Sequence, residues 1–523
     1  MATIPMSPVD AAWYHMDGPA NLAMVTGIGL SSQRFDFEAV KDLYARRIVA
    51  FARFRQRVVE RGFPIASPCW EDMPGFNIDQ HVHHVALPAP HDHAELVRLI
   101  DDIASAPLDR EQPLWQLHVV DNVDGGGAMI LRYHHCIADG TAMMEVLRHL
   151  ADEGSALRDR EDPPSAAGDD DEAGVAGGML EPSLGALGRT AGKMFSAALD
   201  AITHPQALLE RAALALQGTE MLVNELLKRP DPSSPFKGRF GLRKRVAWSQ
   251  PIPLEDVKEI GGAYGAKVND VLVAATTGAL RSYLRRRGVD VDETTARAMV
   301  PVDLRRPERA RRLGNEFGLV ILDLAVAVRR RKDRLVATKA RMDALKRSPE
   351  ALAILALFNL FGRVPKAVED MATDLFASKA SIVMTNVAGP RATLMFAGVP
   401  LERMMFWVPH PGRQLGLGVS ILSYRNSVTL SVIADARLVP DPEAITRDFN
   451  REFAAMLGQA RQDAATTAPP PRKRPAARRA AAAAPVKAAP VKAAPVKVAP
   501  GKAAPGKAAL RRPGKSAAAS RRG

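Results

Sequence analysis

At 523 residues, 47% hydrophobic and 25% charged, the chain is too long for one ordinary domain and too apolar for a disordered protein. Its two cysteines, Cys69 and Cys136, exclude a disulfide framework and suit a reducing cytosol. The net charge of +13 suggests a nucleic-acid binder, but fifteen lysines and arginines lie from Pro471 to Gly523 with no acidic residue among them; without them residues 1–470 stand at −2, so the basicity belongs to a tail.

The N-terminus, MATIPMSPVDAAWYHMDG, has no basic flank followed by an apolar core, so no secretory signal is expected. A helical pattern runs from Glu38 to Val58. His81, His83, His84, His91 and His93 form a polar, proline-bounded stretch expected as solvated surface. Two β-like runs, Trp115–Asp121 and Ala128–Tyr133, are joined by the turn signal Asp124-Gly125-Gly126-Gly127. A helix is predicted from about Thr141 to Leu150, with Met143, Val146, Leu147 and Leu150 at helical spacing. Residues 1–152 thus form a first α/β unit. Residues 153–182, rich in Asp, Gly, Pro and Ala, are expected as a flexible acidic linker, and 183–236 as a helical connector. A second α/β unit spans 237–462, with strand candidates Ala298–Val302, Gly318–Leu324, Ser381–Thr385, Leu415–Leu422 and Val428–Ile433 and a helix over Val271–Leu284. No run reaches the ~18 apolar residues of a membrane span. The nearest approach, Ala351–Phe361, is expected as a core helix or an interfacial segment. From 463 to 523 the sequence is low complexity: Lys487, Lys492, Lys497, Lys502 and Lys507 recur every five residues, as do Pro485, Pro490, Pro495, Pro500 and Pro505. Recurrent proline forbids a continuous helix, and the segment is expected to be a disordered cationic arm.

The feature that carries chemistry is His134-His135-Cys136-Ile137-Ala138-Asp139-Gly140, between a β-run and a helix start. Neutral imidazole can take a proton near pH 7, and a strand-to-helix loop can hold it at a cleft. Side chains alternate along extended backbone, so one histidine of the pair faces the reaction space and the other packs behind it. Asp139 can cap the helix that follows or bind an arginine that fixes the loop. Gly140 permits a conformation or close approach that a side chain would block. The residues alone also allow a purely structural pair. The HHxxxD spacing offers metal ligands, although no CxxC or HExxH accompanies it. Cys136 raises a Cys–His nucleophile, which adjacency on one extended segment disfavours.

HHCIADG matches the HHxxxDG motif of the acyl-CoA-dependent acyltransferases, a superfamily that includes chloramphenicol acetyltransferase-like enzymes and condensation domains. The wider sequence resembles one branch, the bacterial wax ester synthase/diacylglycerol acyltransferases. The supporting segments follow in order: Met6–Ala11 at the start, Pro113-Leu114-Trp115 as the PLW element, and FKGRFGLRKRVAW at Phe236–Trp248. After these come Asn269-Asp270 as the ND motif, VPVDLR at Val300–Arg305, LGNEFG at Leu313–Gly318, TNVAGP at Thr385–Pro390 and LVPD at Leu438–Asp441. The tail has no counterpart in the family.

The resemblance implies two chloramphenicol-acetyltransferase-like α/β domains with a channel between them. It implies that His135 is a general base moving a long acyl group from acyl-CoA to diacylglycerol or a long-chain alcohol, with no covalent intermediate, metal or cofactor beyond acyl-CoA as co-substrate. Within this implied site His134, Asp139 and Gly140 support the base, and Thr385 or Asn386 offers an oxyanion donor. Asn269, Asp270 and the PLW residues give substrate or structural support; Asp270 equally suits a helix cap. Met404-Met405-Phe406-Trp407 would line a chain-binding groove, contact a bilayer, or pack as core. The implied location is cytoplasmic, peripheral to the inner membrane or to lipid inclusions. The tail would bind anionic lipid or DNA. Two rival readings are a carrier-dependent acyltransferase or condensation enzyme, and a non-catalytic lipid-inclusion or DNA-binding protein that reuses the fold.

Overall fold

The computed structural model describes residues 3–61, 67–152, 230–305, 313–347, 373–374, 377–409 and 414–467. The predicted linker, the predicted helical connector up to 229, Ala351–Phe361 and the predicted basic arm from 468 on lie outside them; the arm's first residues, 463–467, are not disordered but continue the last helix, Glu443–Thr467.

Two mixed sheets carry the architecture. The first has the order Arg403–Trp407, Met24–Ser31, Gly126–His134, Trp115–Val123, Val82–Ala86; only the last pair is parallel. The second has the order Phe317–Leu324, Ala296–Asp303, Ile382–Ala388, Leu417–Tyr424, Ser427–Asp435, Lys244–Trp248, with Ile252–Pro253 also on Ser427–Asp435. Its strands Ala296–Asp303, Ile382–Ala388 and Leu417–Tyr424 run parallel.

Gly126–His134 sits between two partners and is buried at every position, which explains its apolar run (Ala128, Met129, Ile130, Leu131) without alternation. It meets Trp115–Val123 through the predicted hairpin. Asn122, Asp124 and Gly125 take positive φ there, beside a bulge at Asp121/Val123. Helix Gly140–Leu150 follows the predicted pattern; Met143, Val146 and Leu150 are buried. In the second half, helix Val268–Arg286 is buried over most of its circumference. It packs against Leu254–Tyr264, Arg331–Lys346 and Glu443–Thr467, as a helix apolar on nearly all sides must.

Some expectations are corrected. The helix predicted over Glu38–Val58 ends at Arg47. Beyond it, Ile48–Ala50 and Ala52–Phe54 form 3₁₀ turns, and Gln56–Arg61 is a strand paired with Ser67–Asp72. Val40, Leu43, Tyr44 and Ile48 keep the helical spacing, but the β-branched pair Ile48-Val49 ends it and Val58 is used by a strand. The histidine-rich stretch is not simply solvated surface: Val82–Ala86 is a strand, and His81 is buried, stacked on Trp115 with Nδ1 bonded to the Trp115 carbonyl at 2.9 Å. Asp270 lies one turn inside its helix, which starts at Val268; its carboxylate accepts the backbone N–H of Lys267 at 2.9 Å. The helix is therefore closed from its third residue.

The halves interlock. Arg403–Trp407 pairs residue by residue with Met24–Ser31 in the first sheet. One core cluster joins Trp13, Val25 and Tyr133 to Met299, Phe317, Leu319 and Val383.

Candidate active site

His134 ends its strand and His135 begins the loop. The predicted alternation sends them to different surroundings. His134 is buried, accepts the Cys136 N–H on Nδ1 at 3.1 Å, and has Nε2 4.0 Å from Asp17. Burial pushes its imidazole down to about 4. The His135 ring lines a cleft of about 850 Å³ whose walls come from both halves, Trp13, Tyr133 and Gly140 facing Phe317, Thr385 and Asn386. Its Nδ1 is 2.9 Å from Asn315 Oδ1. Its Nε2 has no hydrogen-bond partner among the described residues. Burial lowers this imidazole to about 4, against hydrogen bonds to its own carbonyl and to Asn315 and the charge of Asp10, so the ring is neutral at pH 7.

Trp13 stacks on His135 with centroids 4.1 Å apart and planes within 10°, and Phe317 approaches at 5.8 Å. Asp10 is fully buried. It accepts the backbone N–H of Asn315 at 3.1 Å, the Asn315 side-chain amide at 2.8 Å and Arg53 Nη2 at 2.9 Å. Arg53 also donates to the carbonyls of Cys136 and Ile137, tying the histidine loop to the first helix, Pro8–Met16.

Asp139 faces away from the imidazoles. Its Oδ1 accepts the Ala142 N–H at 2.9 Å as the helix N-cap; its Oδ2 meets Arg305 Nη2 at 2.5 Å and the Glu316 N–H at 3.2 Å. Both expected roles, cap and arginine partner, are thus served by one carboxylate. Burial pushes that carboxyl up, to about 6, against the pull of Arg305 and the two N–H groups. Gly140 has ordinary φ; what it provides is room, because a Cβ there would lie 3.2 Å from a Val387 methyl. The HHxxxD spacing does not converge on one point: His134 turns to Asp17, His135 to Asn315 and Asp139 to Arg305. Burial, followed by the Asp10 charge, pushes the Cys136 thiol well up, and its backbone N–H is committed to His134. A thiolate nucleophile has no support there.

Thr385 and Asn386 line the cleft, and Asn386 donates its amide to Asn269. Leu114 and Trp115 are buried behind it; the Leu114 carbonyl accepts the His134 N–H at 2.9 Å, and the Trp115 indole donates to the Phe54 carbonyl at 2.7 Å. Pro113 precedes them in the connection from helix His93–Ser105 to strand Trp115–Val123. The PLW element therefore braces the histidine strand and stands outside the cleft. Asp10, Trp13, Arg53, Arg305 and Asn315 had no assigned role in the sequence reading, although all but Trp13 and Arg53 lie in the segments that carried the resemblance.

Beside the cleft lies an apolar pocket of about 670 Å³. The two share Val25, Tyr133, Gly140, Val387 and Phe406; the pocket continues between Met143, Met144, Leu147 and Met404. Met404, Met405 and Phe406 line it, whereas Trp407 is packed in the core.

Two mixed α/β sheets with a histidine loop in the cleft between them define an acyltransferase of the HHxxxDG, chloramphenicol-acetyltransferase-like class. The sequence places it further. The wax ester synthase/diacylglycerol acyltransferase catalytic-domain model matches residues 6–272, and the WS/DGAT C-terminal-domain model matches 313–457. The chain belongs to the wax ester synthase/diacylglycerol acyltransferase family. A putative diacylglycerol O-acyltransferase of Mycobacterium bovis is 30% identical over 458 residues, covering 83% of this chain and 94% of that protein. A probable diacylglycerol O-acyltransferase of Mycobacterium tuberculosis is 27% identical over 439 residues, covering 82% and 90%. Among solved structures, the wax ester synthase/diacylglycerol acyltransferase from Marinobacter aquaeolei VT8 shares the fold at 22% identity and a TM-score of 0.57, covering 87% of this chain and 99% of that one. The first condensation domain of the calcium-dependent antibiotic synthetase shares it at 18% identity and a TM-score of 0.54, covering 88% and 96%. Among the described residues, no helix is long and apolar enough to cross a membrane.

Proposed function

We propose that the chain transfers a long-chain acyl group from acyl-CoA to the hydroxyl of diacylglycerol or of a long-chain alcohol, with His135 as general base. The observation that carries this reading is a buried imidazole lining a cleft, with one nitrogen held by Asn315 and the other without a hydrogen-bond partner among the described residues. His135 takes the acceptor's hydroxyl proton as that oxygen attacks the thioester carbonyl. The tetrahedral intermediate collapses with cleavage of the C–S bond, and the thiolate leaves with the proton from the imidazolium. Thr385 is our choice for the oxyanion donor, since the Asn386 amide is engaged by Asn269. The apolar pocket suits the acyl chain, at ~0.8 kcal/mol per buried methylene.

The test supplies the purified chain with palmitoyl-CoA and either a diacylglycerol or hexadecanol. Ester formation and release of free CoA are expected. Product only with carrier-bound acyl groups or amine acceptors would replace this reading with a condensation chemistry, and no turnover with any of these would leave a non-catalytic protein.

The basic arm is read as a tether to anionic lipid surfaces, where each Lys or Arg is worth roughly 1 kcal/mol before screening. The last helix runs to Thr467, so truncation belongs after it. Removing 468–523 is expected to leave turnover in neutral detergent micelles unchanged and to abolish salt-sensitive retention on phosphatidylglycerol vesicles. Lost turnover in those micelles would count against a tether.

A further inference from the structure

We propose that Asn315, locked by Asp10, is a positioning residue that holds His135 in the tautomer with its proton on Nδ1, leaving Nε2 as the basic nitrogen. The inference rests on the reading of His135 as the base and adds what makes it one.

The donors and acceptors around the Asn315 amide fix its orientation. Both protons of the Asn315 amide are spent on groups that only accept: one on Asp10 Oδ1 at 2.8 Å, the other on the His135 backbone carbonyl at 2.8 Å. Turning the amide over would set its oxygen against a carboxylate and a carbonyl and lose both bonds. The orientation is therefore fixed by its neighbours. What Asn315 then presents to His135 Nδ1, at 2.9 Å, is an oxygen. An oxygen cannot donate, so Nδ1 must carry the hydrogen, and in a neutral ring Nε2 keeps its lone pair.

Each part of this arrangement is itself held. Asp10 is fully buried, takes the Asn315 backbone N–H as well as its side chain, and is gripped by Arg53. Trp13, one turn along the same helix from Asp10, stacks flat on the imidazole and blocks its rotation about the ring axis. Gly314 adds a second tie. Its carbonyl accepts the Asp139 N–H at 3.4 Å and Arg305 Nη2 at 2.9 Å, and its φ of 122° is one a side chain rarely adopts. Asn315 stands 180 residues after His135, beyond the catalytic-domain match and inside the C-terminal one. The base is thus completed by the C-terminal part of the chain, which gives that part a chemical role besides walling the cleft.

The test uses the full-length protein with ¹⁵N-labelled histidine at pH 7.5; the His135 signals are those lost in His135→Ala. Wild type is expected to show a protonated Nδ1 and an unprotonated Nε2. In Asn315→Ala the ring keeps only its own carbonyl as acceptor, so the tautomer protonated on Nε2 should gain population, and kcat should fall about 10²-fold, the scale of a misplaced catalytic group, with KM for palmitoyl-CoA unchanged. A wild-type ring protonated on Nε2 overturns the proposal without any variant, so a failure of Asn315→Ala to fold does not protect it. Asn315→Ala with wild-type tautomer and kcat also overturns it, and leaves the base reading standing if His135→Ala is inactive. Activity surviving in His135→Ala would remove the base reading, while the tautomer measurement would still decide what Asn315 does to the ring.

Discussion

Replacing His135 by alanine is expected to lower kcat about 10²–10⁴-fold, the usual contribution of a positioned general base, while the chain remains folded. The expectation follows from what the substitution leaves in place. The loop does not depend on the imidazole: Arg53 still holds the Cys136 and Ile137 carbonyls, Asn315 still binds Asp10 and the residue-135 carbonyl, and the His135 N–H still donates to the Ala23 carbonyl. The ring borders a cleft, so its removal enlarges a space that water enters, which costs less than a void in a sealed core. Thioester binding should survive, so KM for acyl-CoA should move little. His134→Ala is the informative contrast. It leaves the Cys136 N–H without its buried acceptor, at about 1–3 kcal/mol, and should therefore act through a lowered unfolding midpoint. Release of CoA thiol and denaturant unfolding of both variants separate the two roles. Near-normal rates in both would mean that some other group takes the proton.

The different surroundings of these two histidines were legible in the sequence, because they need only the alternation of an extended strand and the turn into a helix. The same locality made the hairpin before the loop, the Asp139 cap and most strand positions readable. What the sequence hid are contacts whose partners are far apart along the chain. Nothing local in LGNEFG says that its asparagine meets a histidine 180 residues earlier, or that Asp10 lies between Asn315 and Arg53. Arg403–Trp407 reads as an apolar run of the second unit, yet it pairs with the first sheet, since a short run carries no mark of which edge it will join. His81 was missed for a related reason: Asp79, Gln80 and His84 around it are polar and exposed, and the Trp115 and Phe76 rings that stack on it leave no local mark in the histidine-rich run. At Asp270 the type of interaction was right and the position one turn off, because a carboxylate can close a helix either as its cap or from its third residue.

Asp139→Ala is expected to destabilise the protein by about 3–5 kcal/mol, the cost of removing one partner of a buried ion pair. That is a large part of the ~5–15 kcal/mol that keeps a typical domain folded. Arg305 has a side chain only 3% exposed and would lose its carboxylate; the Ala142 and Glu316 N–H groups would lose their acceptor as well. Soluble yield and unfolding midpoint should both drop. Turnover per folded molecule should drop too, because Arg305 and Gly314 tie the loop to the segment that carries Asn315. The pair is nevertheless a poor net stabiliser. Burial raises the Asp139 carboxyl to about 6, above the ~3.9 of an unfolded chain, so the folded state holds the proton more tightly and the stability this group adds is lost as pH rises through about 6. Asp139→Asn keeps an oxygen for the Ala142 N–H and removes the titration. Wild type should therefore exceed Asp139→Asn in stability by more at pH 5 than at pH 7, while Asp139→Ala falls below both. An Asp139→Ala chain that unfolds at the wild-type denaturant midpoint would show that the cap and the ion pair hold nothing, and the clamp on the histidine loop would have to be sought elsewhere.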